Sequence, residues 1–244
     1  NIARESFFKP LEAKINTLKL RLSYGSLGNQ NTDSWYQTYQ TITYRPFAGY
    51  WLQNGVKPNV TIAPALISTM LTWERVVNYN VGLDFGALNN RLMGSFDWYI
   101  RDTKDMVGNA PELPSILGAN VPKTNNTDLR TTGWEFQISW RDVLKNGLAY
   151  GVTLNLSDAR TKITRYPNNP TNAINNYIEG RYINEIWGYE TEGIARSQAE
   201  MDAHLAVANQ SSIGNNWGAG DVMYKDLNGD KKITGGAGTL NDHG

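Results

Sequence analysis

The chain has no cysteine, which excludes disulfide staples, thiolate metal sites and cysteine nucleophiles. It has no net charge, because 23 basic residues meet 23 acidic ones, so no global field favours nucleic acid as a partner. No run of eighteen uncharged apolar residues occurs, which excludes a membrane-spanning helix, and Asn1 opens no charged-then-apolar leader. Histidine is scarce. Of the two, His204 has no second ligand at helical spacing and His243 sits in the terminal tail. No Ser, His and Asp constellation, phosphate loop or carboxylate pair at fixed spacing is present, and the chain is not expected to be an enzyme.

What is present is alternation with period two, sustained for about ten residues at a time. Val77, Tyr79, Val81, Leu83 and Phe85 alternate with Asn78, Asn80, Gly82 and Asp84. Phe96, Trp98 and Ile100 alternate with Ser95, Asp97, Tyr99 and Arg101; Trp134, Phe136, Ile138 and Trp140 with Glu135, Gln137, Ser139 and Arg141. Leu148 to Ser157 repeats the pattern, and Leu18, Leu20, Leu22 and Tyr24 alternate with Lys19, Arg21, Ser23 and Gly25. Successive side chains of a strand point to opposite faces, so each stretch presents one apolar and one wet face. Strands are expected near 17–27, 75–86, 91–103, 132–141 and 148–158.

The connections alternate in length. Gly86 to Asn90 and Asp142 to Gly147 are short and turn-forming, whereas 28–74, 104–131 and 160–244 are long. Soluble sandwiches have strands of about five or six residues, while bilayer-crossing strands need about nine to eleven and carry short turns on one side and long loops on the other. The expected fold is therefore all-β: an antiparallel transmembrane β-barrel segment of about five strands, with long extracellular loops and one short helix. Five strands cannot close alone in lipid, so 1–244 reads as a fragment of a larger barrel. On this reading Val77, Phe85, Phe96, Trp98, Phe136, Trp140, Leu154 and Leu156 face lipid, and Lys19, Arg21, Asp84, Asp97, Arg101, Glu135 and Arg141 face the lumen. The helix is placed at about 198–208, from Ser197 followed three residues on by Glu200, with Asp202 and His204 expected in solvent.

Two loop stretches carry candidate sites. Asp226, Asn228 and Asp230 form a D-x-N-x-D run whose alternate oxygens suit calcium, with the Lys232 carbonyl and Thr234 as further ligands. Lys231 and Ala237 stand where a full loop has Gly and Glu, and the other reading is a turn held by side-chain to backbone hydrogen bonds. No other cofactor is expected. The aromatic run Trp35, Tyr36, Tyr39, Tyr44, Tyr50 and Trp51 offers area for stacking on sugar rings or packing against a partner protein, or packs on neighbouring loops.

The runs Leu18 to Gln30, Leu71 to Phe85, Asn90 to Asp105, Thr132 to Phe136, Asn155 to Asp158, Trp187 to Ile194 and Gly220 to Asp230 resemble the SusC/RagA family of TonB-dependent outer-membrane transporters of Bacteroidetes. The resemblance implies a Gram-negative outer-membrane location and a twenty-two-stranded barrel around an N-terminal plug. It further implies import of oligosaccharides or peptides under a SusD-like lipoprotein lid, energised through the TonB complex. The plug and the TonB contact region fall outside the residues that carry the likeness. The competing expectation, from another class, is a soluble all-β surface binding module or adhesin whose sheet packs on itself.

Overall fold

A computed structural model describes residues 5, 8, 10, 14–30, 38–111, 114, 116 and 121–242. Trp35, Tyr36 and His243 lie outside the described residues. The chain divides into two compact units, residues 1–168 and 169–244.

The first unit is built on five antiparallel strands: β1 (Ile15–Asn29), β4 (Glu74–Ala87), β5 (Leu92–Asn109), β6 (Lys123–Val143) and β7 (Ala149–Arg165). They form one open sheet in that order, and a short hairpin of β2 (Thr43–Arg45) and β3 (Val60–Ile62) lies within the first long connection. All five stretches expected from alternation are strands, and all run further than the alternation does. The connection expected at 104–131 shrinks accordingly, because β5 and β6 continue pairing past a bulge between Thr103 and Met106. Asp105 takes φ 58 there, and its N–H donates to the Asp128 carboxylate at 2.8 Å. The extension 123–128 is polar on both faces, so it carries no alternation for a sequence reading to find.

The turns explain the tight ends. Leu88, Asn89 and Asn90 all have left-handed φ, between 54 and 62, and the Arg91 N–H donates to the Leu88 carbonyl at 3.2 Å. Asn tolerates that region because its side chain is short and polar. Between β6 and β7, Gly147 at φ 82 lets the Leu144 N–H reach the Leu148 carbonyl at 2.8 Å.

The second unit holds a ribbon of β8 (Thr191–Ile194) and β9 (Val222–Tyr224) and one helix, α1 (Gln198–Leu205). The Ser197 hydroxyl accepts the Glu200 N–H, while the Glu200 carboxylate reaches back to the Arg196 N–H at 2.7 Å, one residue earlier than the reciprocal cap expected. Asp202 is exposed as expected, but His204 is not: it is 8% exposed, with Nε2 2.9 Å from the Gln210 Oε1. Gln210 is fully buried and behaves as a one-residue strand. Its Oε1 accepts the Tyr224 N–H at 2.7 Å and its Nε2 donates to the Val222 carbonyl at 3.2 Å, closing the edge of β9 that β8 leaves free. With the Gln210 amide so committed, His204 must donate from Nε2. A short helix with one apolar flank holds no hint of this, because the partner is a glutamine six residues on in the next turn.

Gln210→Leu is expected to leave the Tyr224 N–H, the Val222 carbonyl and the His204 Nε2 without partners, while His204 Nδ1 keeps Glu192 at 3.5 Å, at a cost of about 3 kcal/mol or more. Hydrogen exchange on the full-length protein should then show residues 191–224 opening while the long sheet keeps its protection.

Candidate functional site: two faces of one sheet

The register brings the alternating residues of five strands into common rows. On one face the row Leu20, Leu83, Phe96, Phe136, Leu156 is entirely apolar, and the row Leu18, Phe85, Gly94, Ile138, Leu154 below it is too. Gly94 belongs there because the Phe85 ring lies over it: a Cβ at Gly94 would collide with that ring. The tyrosine and tryptophan rings sit toward the ends of the band. Tyr24 and Tyr79 pack at 5.2 Å and Trp98 stands opposite Trp134 nearer the long loops, while Trp140 donates from Nε1 to the Tyr150 hydroxyl at 3.3 Å near the short turns.

Across β4 to β7 the upper limit of this band steps down, while in β1 it lies at Tyr24, in the row of Tyr79. The last apolar residue on this face is Val77 in β4, Ile100 in β5, Trp134 in β6 and Leu156 in β7, one alternate-residue row lower at each strand. A boundary that descends in steps is what strands tilted against a planar boundary produce. From Val77 to Ala87 the band is ten residue steps long, about 33 Å along the strand and about 25 Å in height at a tilt of about 40°.

The opposite face is polar, and its centre is an ion cluster. The Arg21 guanidinium donates to Asp84 from Nε at 3.0 Å and to Asp97 from both terminal nitrogens at 2.9 and 2.7 Å, spanning β1, β4 and β5. It reaches Asp97 by lying across Gly82, where a Cβ would come within 2.5 Å of the Asp97 oxygen and 2.7 Å of the Arg21 carbon. Asp97 stands directly opposite Glu135, a like-charge pairing that Arg21 offsets from one side only. Ser95, Asp97, Glu135, Gln137, Asn155 and Ser157 line a shallow cleft of about 280 Å³ on this face. Hydroxyl pairs knit β6 to β7, Ser139 with Thr153 at 2.8 Å and Thr131 with Thr161 at 2.9 Å. The residues expected in the lumen and those expected in lipid therefore stand on opposite faces of the sheet.

Beyond the band, toward the long loops, a second set of ion pairs ties the strand extensions together. Arg165 donates to Asp128 at 2.9 and 2.8 Å and to Asp105 at 2.9 Å. Burial by itself raises the Asp128 carboxyl, but hydrogen bonds from Arg165 and the Asp105 backbone outweigh it and hold the group below its ordinary value. Nearby, the Asn125 amide exchanges two hydrogen bonds with the Thr72 backbone, both at 2.8 Å, fixing the end of the first long connection to β6. These residues leave no signal in the sequence, since their partners lie 20 to 60 positions away.

Of the loop candidates, Tyr44 lies on β2, and Tyr39, Tyr50 and Trp51 are exposed near the β2–β3 hairpin, with Tyr50 fully so. In the second unit both Asp226 oxygens accept backbone N–H groups, from Gly229 and Lys231, each at 2.8 Å. Asn228, Asp230 and Thr234 likewise accept the N–H two residues on. Lys231 adopts φ 64, the conformation that Gly provides in a complete calcium loop. Among the described residues no group of three or more His, Cys, Asp and Glu side chains is arranged for a metal.

The site is an antiparallel sheet of long strands, apolar along a band on one face and polar on the other. The chain belongs to the TonB-dependent receptor-like β-barrel family, whose model matches residues 13–242. It is 25% identical to TonB-dependent receptor P3 of Formosa agariphila over 96% of the chain, and 30% identical to TonB-dependent receptor SusC of Bacteroides thetaiotaomicron over 67% of the chain. Among solved structures the RagAB peptide transporter is similar at 25% identity and a TM-score of 0.57, over 75% of the chain and 20% of that one. The chain spans 23% and 16% of the two curated relatives. Its five-stranded sheet is open, so the closed barrel is a property of the family.

Two outcomes are expected. Arg21→Met should weaken the sheet by about 1 kcal/mol, as expected for a half-exposed ion network, and Asp97→Asn in the same background should recover part of it; equilibrium unfolding of the full-length protein measures both. Because the folded Asp128 carboxyl lies below its ordinary 3.8, its contribution is present above that value and disappears as pH falls through the folded value. Protection of the amides at 123–131, with intrinsic exchange divided out, should therefore fall in acid below that range, and Asp128→Asn should remove much of that fall.

Proposed function

We propose that the chain forms part of the barrel wall of an outer-membrane transporter, with its apolar face against lipid and its polar face lining the interior. The stepped apolar band carries this reading. A sheet folded on itself in a soluble module needs no common height across its strands, whereas a bilayer imposes one. Charges cluster on the other face, where water keeps them hydrated, and the rings at both ends of the band suit the two interfaces. The substrate is an oligosaccharide or a peptide, taken in together with a SusD-like lipoprotein and energised through TonB. The likeness to SusC and to the RagAB peptide transporter supports this. Tyr39, Tyr44, Tyr50 and Trp51, with Trp35 and Tyr36, belong to the loop that meets the ligand or the lid protein; the open cleft at Asp97 and Glu135 lies along the path.

We read the 226–234 loop as a turn held by its own backbone. A calorimetric titration of the folded protein with calcium that shows one-to-one binding would replace that reading with an ion site at Asp226, Asn228, Asp230 and Thr234.

The two faces should respond differently to the same charge. Phe96→Arg, in the middle of the band, is expected to cost about 2 to 4 kcal/mol in a bilayer. Ser95→Arg, its neighbour on the polar face, should cost well under about 1 kcal/mol. Reversible unfolding of the full-length protein from lipid vesicles measures both. Equal costs, or recovery of the full-length protein from the soluble fraction without detergent, would sink the transporter reading in favour of a soluble binding module.

A further inference from the structure

The apolar band ends abruptly on its long-loop side, and beyond that edge the same face turns basic. From Leu18 to Tyr24, Val77 to Phe85, Leu92 to Ile100, Thr132 to Trp140 and Tyr150 to Leu156, no charged residue points to this face. Within the next three alternate positions of each strand stand five cations, Arg75, Lys104, Arg130, Arg160 and Lys162, with three carboxylates, Asp102, Asp128 and Asp158. All three carboxylates are engaged. Asp102, 7% exposed, accepts from Arg130 at 2.6 and 2.8 Å, and Asp158 lies 3.5 Å from Arg160. Lys104 lies in the field of Asp102 and Asp128, and one level higher Asp105 and Asp128 close on Arg165. Among the described residues no carboxylate comes within ion-pair distance of Arg75 or Lys162, and both are exposed. At the short-turn end of the same face Asp142 pairs with Arg91 and the Tyr150 hydroxyl is taken by Trp140, and the exposed cations there, Lys14 and Lys145, lie outside the strands.

We propose that this belt, centred on Lys162, Arg160 and Arg130 with Arg75 alongside, binds the phosphate groups of lipid headgroups in the outer leaflet. The inference rests on the lipid-facing reading of the band. Arg130 and Lys162 are register partners on adjacent strands, so their side chains rise together from one place on the sheet. Acyl chains that pack on Phe96, Phe136 and Leu156 bring a headgroup to that height, where guanidinium and ammonium groups bind phosphate by charge-assisted hydrogen bonds. The asymmetry between the two ends of the band selects one leaflet. Arg75 and Lys162, exposed beyond the edge of an apolar surface, have no carboxylate within ion-pair distance among the described residues, and the anion available at that depth in a membrane is the phosphate of the lipid.

The test uses the full-length receptor purified in detergent and titrated with fluorescent diphosphoryl lipid A. The combined variant Arg75→Gln, Arg160→Gln and Lys162→Gln is expected to bind at least about tenfold more weakly. Wild-type binding should weaken with added salt and fall to the variant's level when the lipid A is dephosphorylated. Binding that survives in the variant, or that ignores both salt and loss of phosphate, overturns the proposal, as does equal competition by inorganic phosphate, which would mark a free-anion site. Heat-modifiable migration of the same samples keeps the two readings apart. If it is retained while lipid binding is unchanged, the belt fails and the barrel stands; if the wild type lacks it, the lipid-facing reading itself fails. The salt series on unmodified protein gives a readout even where the variant does not fold.

Discussion

Register governs this structure. In a sheet whose side chains alternate with period two, a slip of one residue in any strand would carry that strand's leucines and phenylalanines to the charged face and its aspartates to the apolar one. Across β1, β4, β5, β6 and β7 the pairing keeps every alternating set in phase, so five separate patterns become one apolar surface and one polar surface. The short turns set two of the four pairings directly. The pairing of β1 with β4 crosses a connection of more than forty residues, and there the face-to-face agreement of Leu18 to Tyr24 with Tyr79 to Phe85 must fix the phase.

Particular pairings then lock that phase. Glycine sits where a long side chain crosses from the neighbouring strand: Gly82 beneath Arg21, Gly94 beneath Phe85 and Gly133 beneath Tyr99. Each is a steric statement about register, since a side chain at the glycine would displace the group that covers it. Arg21 adds an electrostatic one, because only this alignment lets a single guanidinium meet both Asp84 and Asp97. Further along the strands the apolar band ends, and the main apolar anchor is the buried Ile163 opposite Leu129. There Arg165, Asp128 and Asp105, with the side-chain amide of Asn125, take over the task of holding strands in pairs.

The second unit solves a different problem. Its ribbon and helix are too short to bury much apolar surface, and its centre contains Met201 and Ile233 beside the fully buried Gln210 and the nearly buried His204. A buried amide is tolerable when every donor and acceptor is used. Gln210 finds partners for both ends of its amide, Oε1 with Tyr224 and His204 and Nε2 with the Val222 carbonyl, so a polar residue here defines the edge of a small sheet. The 226–234 turn works in the same way, with Asp and Asn oxygens taking the amides that no strand pairs.

Long two-faced strands, joined by short and long connections in alternation, were legible in the order of residues alone, because the period of the side chains is a local property of an extended backbone. So were the resemblance to the family and the cap that starts α1. Whatever depends on distant partners was settled by folding: the extension of β5 and β6 through Asp105 and Asn125, the burial of His204 against Gln210, the three-strand reach of Arg21 and the stepped edge of the apolar band. Except for the contact of His204 with Gln210 six residues on, these come from pairings between residues well separated along the chain. A one-dimensional pattern records which face a side chain takes, but not which neighbour stands beside it.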